Sequence, residues 1–201
     1  MYQENTISGD TIKFLTEEER LNEVRVIGGA IGQYLSAPIS AREPGSGVSV
    51  DTVNYKGQFI NYNLDDSLIM LEQAADIKSG TVSLNAHQVK FDTHIRIIEA
   101  YSAQGAIDSG LAHESPFEFQ PNLFPVILSD KEDKILGDYL VYSIDSKKGR
   151  IFQSKTSYDQ GHYYGEKLYR EKPHIFYIDD GRYTSCDADA PHFHFYSKNL
   201  K

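Results

Sequence analysis

The stretch Ala86-His87-Gln88-Val89-Lys90-Phe91 decides the fold class, because it alternates polar and apolar side chains and ends on an aromatic residue. Its order is a small residue, a polar residue, any residue, an aliphatic, any residue and an aromatic. The same order recurs in Gly9–Phe14, Gly57–Tyr62 and Gly137–Tyr142. The aliphatic and the aromatic are two residues apart, so in a strand they face the same side. The sequence therefore predicts repeated strands with one apolar face.

A polar turn and a second apolar strand follow each of these stretches. The turns contain the Asp, Asn, Ser and Gly residues that suit tight reversals; they are Thr16–Glu19, Asn63–Ser67, Asp92–His94 and Asp145–Gly149. The return strands alternate with period two; they are Val24–Val26, Leu68–Leu71, Ile95–Ile97 and Arg150–Gln153. A lone hairpin is marginally stable, so we expect the hairpins to stack in an all-β sandwich, jelly roll or solenoid.

Two segments interrupt the hairpin pattern. Ser36–Ser49 is rich in Pro and Gly and predicts a long loop, while Ser115–Pro125 contains three prolines and predicts an irregular crossing. Neither is long enough for a convincing interdomain linker. We expect one domain over residues 1–201, with a soft division near residues 116–125 as the alternative.

Composition narrows the class of function. The formal net charge of -9, without a basic stripe, argues against a nucleic-acid partner. No stretch approaches 18 apolar residues and the first residues lack a basic region, so the chain as given is expected to carry neither a membrane span nor a signal peptide. Cys186 is the one cysteine, so it is either a free thiol or paired outside this chain.

No catalytic signature is present in the sequence, and we predict that the chain is not an enzyme and needs no cofactor or metal. One alternative is a metal site. The spacing of His192 and His194 would place both imidazoles on one strand face, near the carboxylates of Asp187 and Asp189. Alternation explains the same spacing, with Phe193 and Phe195 facing inward and both histidines facing water. A second alternative is a glycan-binding β-sandwich with stacking tyrosines, namely Tyr158, Tyr163 and Tyr164.

The C-terminal third contains two specific motifs, Gly161-His162-Tyr163-Tyr164-Gly165-Glu166-Lys167 and Gly181-Arg182-Tyr183-Thr184-Ser185-Cys186. Together they resemble the "YYGEK" and "G-x-Y-T-[ST]-C" elements in the N-terminal periplasmic domain of the LptD (OstA-type) lipopolysaccharide-assembly family. The hairpins that begin with Gly-Asp also resemble the OstA unit of the periplasmic bridge proteins in that system. The resemblance therefore covers most of the chain.

The resemblance implies a β-jelly-roll, or folded "β-taco", around an apolar interior groove. Lipopolysaccharide would pass its lipid A acyl chains along that groove, in the periplasm and at the outer membrane. The implied partners are a similar β-jelly-roll bridge protein, which pairs edge to edge, and an outer-membrane β-barrel with its plug lipoprotein. A standalone bridge protein of the same transport system is the alternative.

Groove candidates are the apolar residues of the hairpin strands. They are Ile12, Phe14, Ile60, Tyr62, Leu84, Val89, Phe91, Ile95, Ile97, Leu140, Tyr142 and Ile151. Burying acyl chains against such residues is favourable by about 25 cal/mol per Å² of apolar area. The alternative is that the same side chains fill a closed sandwich core.

The resemblance also gives Cys186 a role, because family members use the cysteine of this motif to tie the periplasmic domain to the C-terminal barrel. Cys186 would then form an interdomain disulfide, which suits the oxidising periplasm. The chain departs from the family in having no barrel and no second cysteine, and Phe193 stands where the family often has Trp. An excised N-terminal domain fits these departures better than a standalone relative does.

Overall fold

The fold is built from antiparallel strands. A computed structural model describes residues 5–36, 51–103, 124–131, 133–158, 160–172, 175–188 and 191–201. In this part of the chain the strands are β1 (Asn5–Ser8), β2 (Thr11–Glu17), β3 (Arg20–Ser36), β4 (Asp51–Asn63), β5 (Leu68–Ser79), β6 (Val82–Asp92), β7 (Ile97–Tyr101), β8 (Val126–Asp130), β9 (Asp133–Gly137), β10 (Tyr139–Ser143), β11 (Lys148–Tyr158), β12 (Gly161–Lys172), β13 (Ile175–Thr184) and β14 (Phe195–Leu200).

The strands form one continuous sheet that follows chain order. At three places two short strands share one long neighbour: β1 and β2 both pair with β3, β7 and β8 with β6, and β9 and β10 with β11. Each short pair therefore acts as one long strand that is broken in the middle. β2 with β1 forms one edge of the sheet, and β14 forms the other.

The long strands are irregular at their midpoints. The pairing register shifts in β3, β4 and β5 near the same level of the sheet. Several residues there have positive φ, a conformation that one type of bulge adopts and that favours glycine; they are Gly28, Gly29, Gln73 and Ala74, followed in later strands by Gln153 and Asp180. A bulge bends its strand, so this row of irregularities marks a line along which the sheet can fold.

An aromatic contact shows that the sheet does fold back on itself. Cross-strand pairs place Phe91 beside Ile69, Ile69 beside Tyr62 and Tyr62 beside Val24. Along a straight β3, Val24 and Tyr34 would be roughly 33 Å apart at 3.3 Å per residue. The rings of Tyr34 and Phe91 nevertheless meet edge to face, with centroids 5.2 Å apart. The two halves of the sheet therefore pack face to face.

Two polar contacts join the opposed ends of the strands, and we call them the clasp. The Tyr34 hydroxyl donates a hydrogen bond to the Thr93 carbonyl oxygen at 3.1 Å. Arg170 forms an ion pair with Asp130 at 2.5 Å. Cross-strand pairs can be followed from strand to strand. They place Arg170 at the same end of the strands as Phe91, and Asp130 at the opposite end, with Tyr34. Each contact in the clasp thus bridges the two halves of the sheet.

The space between the halves is the hydrophobic core, and both halves contribute to it. Large and small residues alternate there. The ring of Tyr55, for example, lies so close to Gly32 that a Cβ on Gly32 would be 2.1 Å from it. The predicted all-β fold of repeated antiparallel hairpins around an apolar interior is confirmed. The loop predicted over Ser36–Ser49 lies outside the described residues except for Ser36, which ends β3. The crossing predicted over Ser115–Pro125, with the alternative division near residues 116–125, lies outside them except for Phe124 and Pro125.

The third predicted hairpin has a longer turn than the sequence predicts. Ile95–Ile97 is predicted as a return strand, but residues 93–96 form a turn and β7 begins at Ile97. The carboxylate of Asp92 accepts hydrogen bonds from the backbone N–H groups of His94 and Ile95, at 2.9 and 3.0 Å. This local capping holds the chain in a turn where alternation alone predicts a strand.

Candidate functional site

The candidate site is the inward face of the folded sheet, meaning the side chains that point into the space between its two halves. Seven of the predicted groove residues are buried there, at most 6% exposed; they are Ile60, Leu84, Val89, Phe91, Leu140, Tyr142 and Ile151. Tyr62 is partly buried and packs against them. The structure thus brings eight of the twelve predicted residues together.

The inward face is uncovered at the first edge of the sheet. Phe14 pairs with Val24 and Ile12 pairs with Val26, whose side chain is fully buried in the core. Directly opposite residues share a face, so Ile12 and Phe14 belong to the inward face. They are nevertheless 39% and 67% exposed, because no strand covers them in the described part of the chain.

The second edge is uncovered in the same way. Tyr163, Tyr183 and Phe195 lie side by side on β12, β13 and β14. Ring centroids are 5.0 Å apart between Tyr163 and Tyr183, and 6.2 Å apart between Tyr183 and Phe195. Tyr163 packs against the core, whereas Phe195 is 64% exposed. The row therefore leads from the core to the surface.

Three sequence predictions need correction. Ile95 is 56% exposed because it lies in the turn capped by Asp92, and Ile97 faces outward because Ile98 occupies the buried position. Phe193 is predicted to point inward from a strand, but β14 begins only at Phe195 and Phe193 is 48% exposed. Tyr163 and Tyr183 are missing from the predicted groove residues. Phe195, the exposed end of the row formed with Tyr163 and Tyr183, faces inward as the alternation around His194 predicts.

The hydroxyl of Tyr55 is buried in the apolar interior, and it has no hydrogen-bond partner among the described residues. The side chain is 2% exposed, and burial raises its pKa far above the ordinary value. An unsatisfied buried hydroxyl costs free energy of about 1–3 kcal/mol. Nothing in the local sequence distinguishes Tyr55 from other strand tyrosines, so sequence reasoning did not find it.

Cys186 lies between β13 and β14, beside the uncovered second edge. Its Sγ is 3.4 Å from Nδ1 of His192, and its backbone N–H donates to the Thr184 hydroxyl oxygen at 3.1 Å. Hydrogen bonds from the backbone of His192 and of Ala188, and then from the His192 side chain, lower the pKa of the Cys186 thiol to about 7. A substantial fraction of this thiol is therefore the reactive thiolate at neutral pH.

We expect the alkylation rate of Cys186 by iodoacetamide to rise with pH through a midpoint near 7, against 9.0 for an ordinary thiol. In His192→Ala the backbone donors remain while the imidazole is lost, so the midpoint moves up but stays below 9.0. The urea-unfolded chain serves as control, because Cys186 is its one thiol. A folded-state midpoint equal to that of the unfolded chain contradicts the assigned environment.

Among the described residues, His192 and His194 are not grouped with Asp187 in the way that the alternative of a metal site requires. His192 contacts Cys186, while the partner found for Asp187 is His162, whose Nε2 is 2.8 Å from the carboxylate. Within the described ranges, no group of three or more His, Cys, Asp or Glu residues could hold a metal ion. The described ranges likewise contain no helix long and apolar enough to cross a membrane. Asp189 lies outside them.

Comparisons with known proteins show similarity to a solved structure and to no known family. No family model matches the sequence, and no curated protein matches it. Among solved structures, the chain is similar to LptH, described as the LptA homologous periplasmic component of the conserved lipopolysaccharide transport device from Pseudomonas aeruginosa. The alignment has 18% identity and a TM-score of 0.39, and covers 54% of this chain and 68% of LptH.

Proposed function

We propose that this chain is a periplasmic component of lipopolysaccharide transport, which holds lipid A acyl chains against its inward face. The observation behind the proposal is that the inward face extends across the whole sheet, from one edge to the other. It is buried in the middle of the sheet, and it continues as uncovered apolar side chains at both edges, Ile12 and Phe14 at one and Phe195 at the other. In a closed sandwich, by contrast, the apolar residues of the inward face would be buried and would not continue onto uncovered edge strands.

The uncovered edges suit a ligand that passes through rather than one that is stored. Each buried methylene group of an acyl chain contributes about 0.8 kcal/mol, so the chains gain by lying on the inward face along its whole course. The phosphates and sugars stay in water, outside the two halves. This division explains how a chain with a net charge of -9 carries an anionic lipid, because the acyl chains supply the attraction.

Loading requires the two halves to separate, because side chains fill the interior. The clasp joins the halves by one hydrogen bond and one ion pair, Tyr34 with Thr93 and Arg170 with Asp130. Opening it exposes the core residues to the incoming acyl chains. The unpartnered hydroxyl of Tyr55 then meets an acceptor, such as an ester or hydroxyl oxygen of the lipid.

Within the transport system, we place the chain as the N-terminal domain of an LptD-type protein. It would receive lipopolysaccharide from a similar bridge protein that pairs with an edge strand, and pass it towards an outer-membrane barrel with its plug lipoprotein. Cys186 supports this role because its thiol is reactive and lies beside the uncovered second edge. The disulfide partner would lie outside this chain. A standalone bridge protein remains the alternative.

Lipid extraction tests the proposal. The purified chain is incubated with lipopolysaccharide, recovered by size exclusion, and its lipid is extracted and measured by mass spectrometry. We expect lipid A to co-purify in about equimolar amount, and the double variant Phe14→Asp with Phe195→Asp to retain at least fivefold less, since a carboxylate opposes burial of an acyl chain. Tyr196→Asp, on the other face of β14, is the matched control. Binding of glycans without lipopolysaccharide contradicts the proposal.

A further inference from the structure

A groove of about 630 Å³ lies on the outer face of the sheet, opposite the inward face. One row of cross-strand pairs runs across it, from Val141 through Arg150 and Tyr169 to Tyr177. The residues next to three of these in sequence are buried in the core, so alternation turns the row outward; those buried neighbours are Ile151, Leu168 and Ile178. The volume is in the range of small-molecule sites.

Aromatic rings form much of the groove surface. Phe152, Tyr169 and Tyr177 line it, on three successive strands. The guanidinium of Arg150 lies over the ring of Tyr169, 5.5 Å from its centroid. Ser143 and Ser146 add hydroxyl groups at one end. Flat rings beside hydroxyl groups suit a ligand with an apolar face and a polar rim, which is the chemistry of a pyranose ring.

The charge of the groove differs from that of the chain. Lys148 and Arg150 line the groove and are exposed, and neither forms an ion pair with another described residue. The nearest carboxylate in the same row, Glu99, is held by the hydroxyls of Tyr101 and Tyr139, each at 3.0 Å. Two cations that form no ion pair with a described residue, in a chain of net charge -9, favour an anionic ligand.

We propose that this groove binds a phosphorylated sugar, with the pyranose ring against Tyr169 and Tyr177 and the phosphate between Lys148 and Arg150. Arg and Lys are the usual phosphate partners in proteins, and charge-assisted hydrogen bonds are about twice as strong as neutral ones. The ligand is a sugar phosphate free in solution, because the groove opens on the face of the sheet away from the interior that would hold acyl chains. The inference is therefore independent of the proposed function.

Isothermal titration with glucose 6-phosphate tests the site, with glucose, inorganic phosphate and adenosine monophosphate as comparison ligands. We expect glucose 6-phosphate to bind at least tenfold more tightly than glucose or phosphate alone, equivalent to about 1.4 kcal/mol. Raising the salt concentration weakens this binding, because exposed charges are screened. Equal affinity for inorganic phosphate, or tighter binding of adenosine monophosphate, overturns the sugar assignment. No binding of glucose 6-phosphate overturns the site.

Variants separate the groove from general surface charge. Lys148→Gln and Tyr169→Leu should each weaken glucose 6-phosphate binding about tenfold, by removing the phosphate partner and the stacking ring. Lys155→Gln and Tyr164→Leu are matched controls, since Lys155 lies over the Tyr164 ring at 5.3 Å on the same sheet but outside the groove. Equal losses in the controls and the groove variants overturn the proposal. Circular dichroism and urea unfolding verify that each variant is folded.

Discussion

Phe91→Ala is expected to lower the free energy of unfolding by about 3–5 kcal/mol, the usual cost of deleting a buried phenyl ring. The ring is fully buried and meets Tyr34 edge to face, with centroids 5.2 Å apart. The substitution removes one of the contacts between the two halves of the sheet, and it leaves a cavity between them. Urea unfolding followed by circular dichroism measures the loss.

Phe14→Ala is the matched control for this variant. Phe14 also belongs to the inward face, but its ring is 67% exposed at the uncovered edge. Its removal is expected to change the free energy of unfolding by less than about 0.5 kcal/mol, as for most exposed positions. Equal effects of Phe91→Ala and Phe14→Ala would contradict the face-to-face packing of the sheet.

Asp130→Asn is expected to lower the free energy of unfolding by about 2–3 kcal/mol. The carboxylate accepts hydrogen bonds from Thr81 and Arg170, and an amide has one acceptor oxygen for these two donors. Arg170, 9% exposed, would keep its charge without a counterion. Breaking a buried pair costs about 3–5 kcal/mol, and we take a lower figure because Asp130 retains 15% exposure.

The pH dependence of this loss has a defined sign. The Thr81 hydroxyl, and then Arg170, hold the pKa of Asp130 below its ordinary 3.8. The unfolded chain therefore takes up a proton first as the pH falls, so the contribution of Asp130 is present above 3.8 and is lost as the pH falls through the folded-state pKa. The difference between wild type and Asp130→Asn should shrink in that range.

Asp65→Asn provides the matched control for the clasp variant. Asp65 pairs with Arg20 at 2.6 Å, and the two side chains are 47% and 75% exposed. Exposed pairs contribute about 0–1 kcal/mol. A loss in Asp130→Asn no larger than the loss in Asp65→Asn would show that the clasp does not stabilise the folded sheet.

Local alternation predicted the strands and most of the buried face, because each strand obeys a period of two. Val89 and Phe91 are buried as their spacing predicts. The bends were harder to predict. Gly28 and Gly29 carry a sequence signal for positive φ, but Gln73 and Ala74 adopt the same conformation without one. Their conformation follows from the line of bulges across the whole sheet, which a single strand does not encode.

Competition between local and distant interactions explains the error at Ile95. Alternation alone gives Ile95 an inward position, but the Asp92 carboxylate caps the turn and Arg96 becomes the buried residue, 4% exposed. Its guanidinium pairs with Asp145 at 2.9 Å, in the next hairpin. The uncovered edges also depend on tertiary structure. Phe14 has the same spacing as Phe91, and only its place on the edge strand leaves it exposed.

Site-specific photocrosslinking at two adjacent residues of β14 tests the central claim most directly. Phe195 faces inward and Tyr196 outward, and their exposures are similar at 64% and 57%. Each is replaced in turn by p-benzoylphenylalanine, and the chain is irradiated with lipopolysaccharide. Our account predicts that lipid A crosslinks to position 195 and that the yield at position 196 is at least fivefold lower. Equal crosslinking at both positions, or none at position 195, would contradict it.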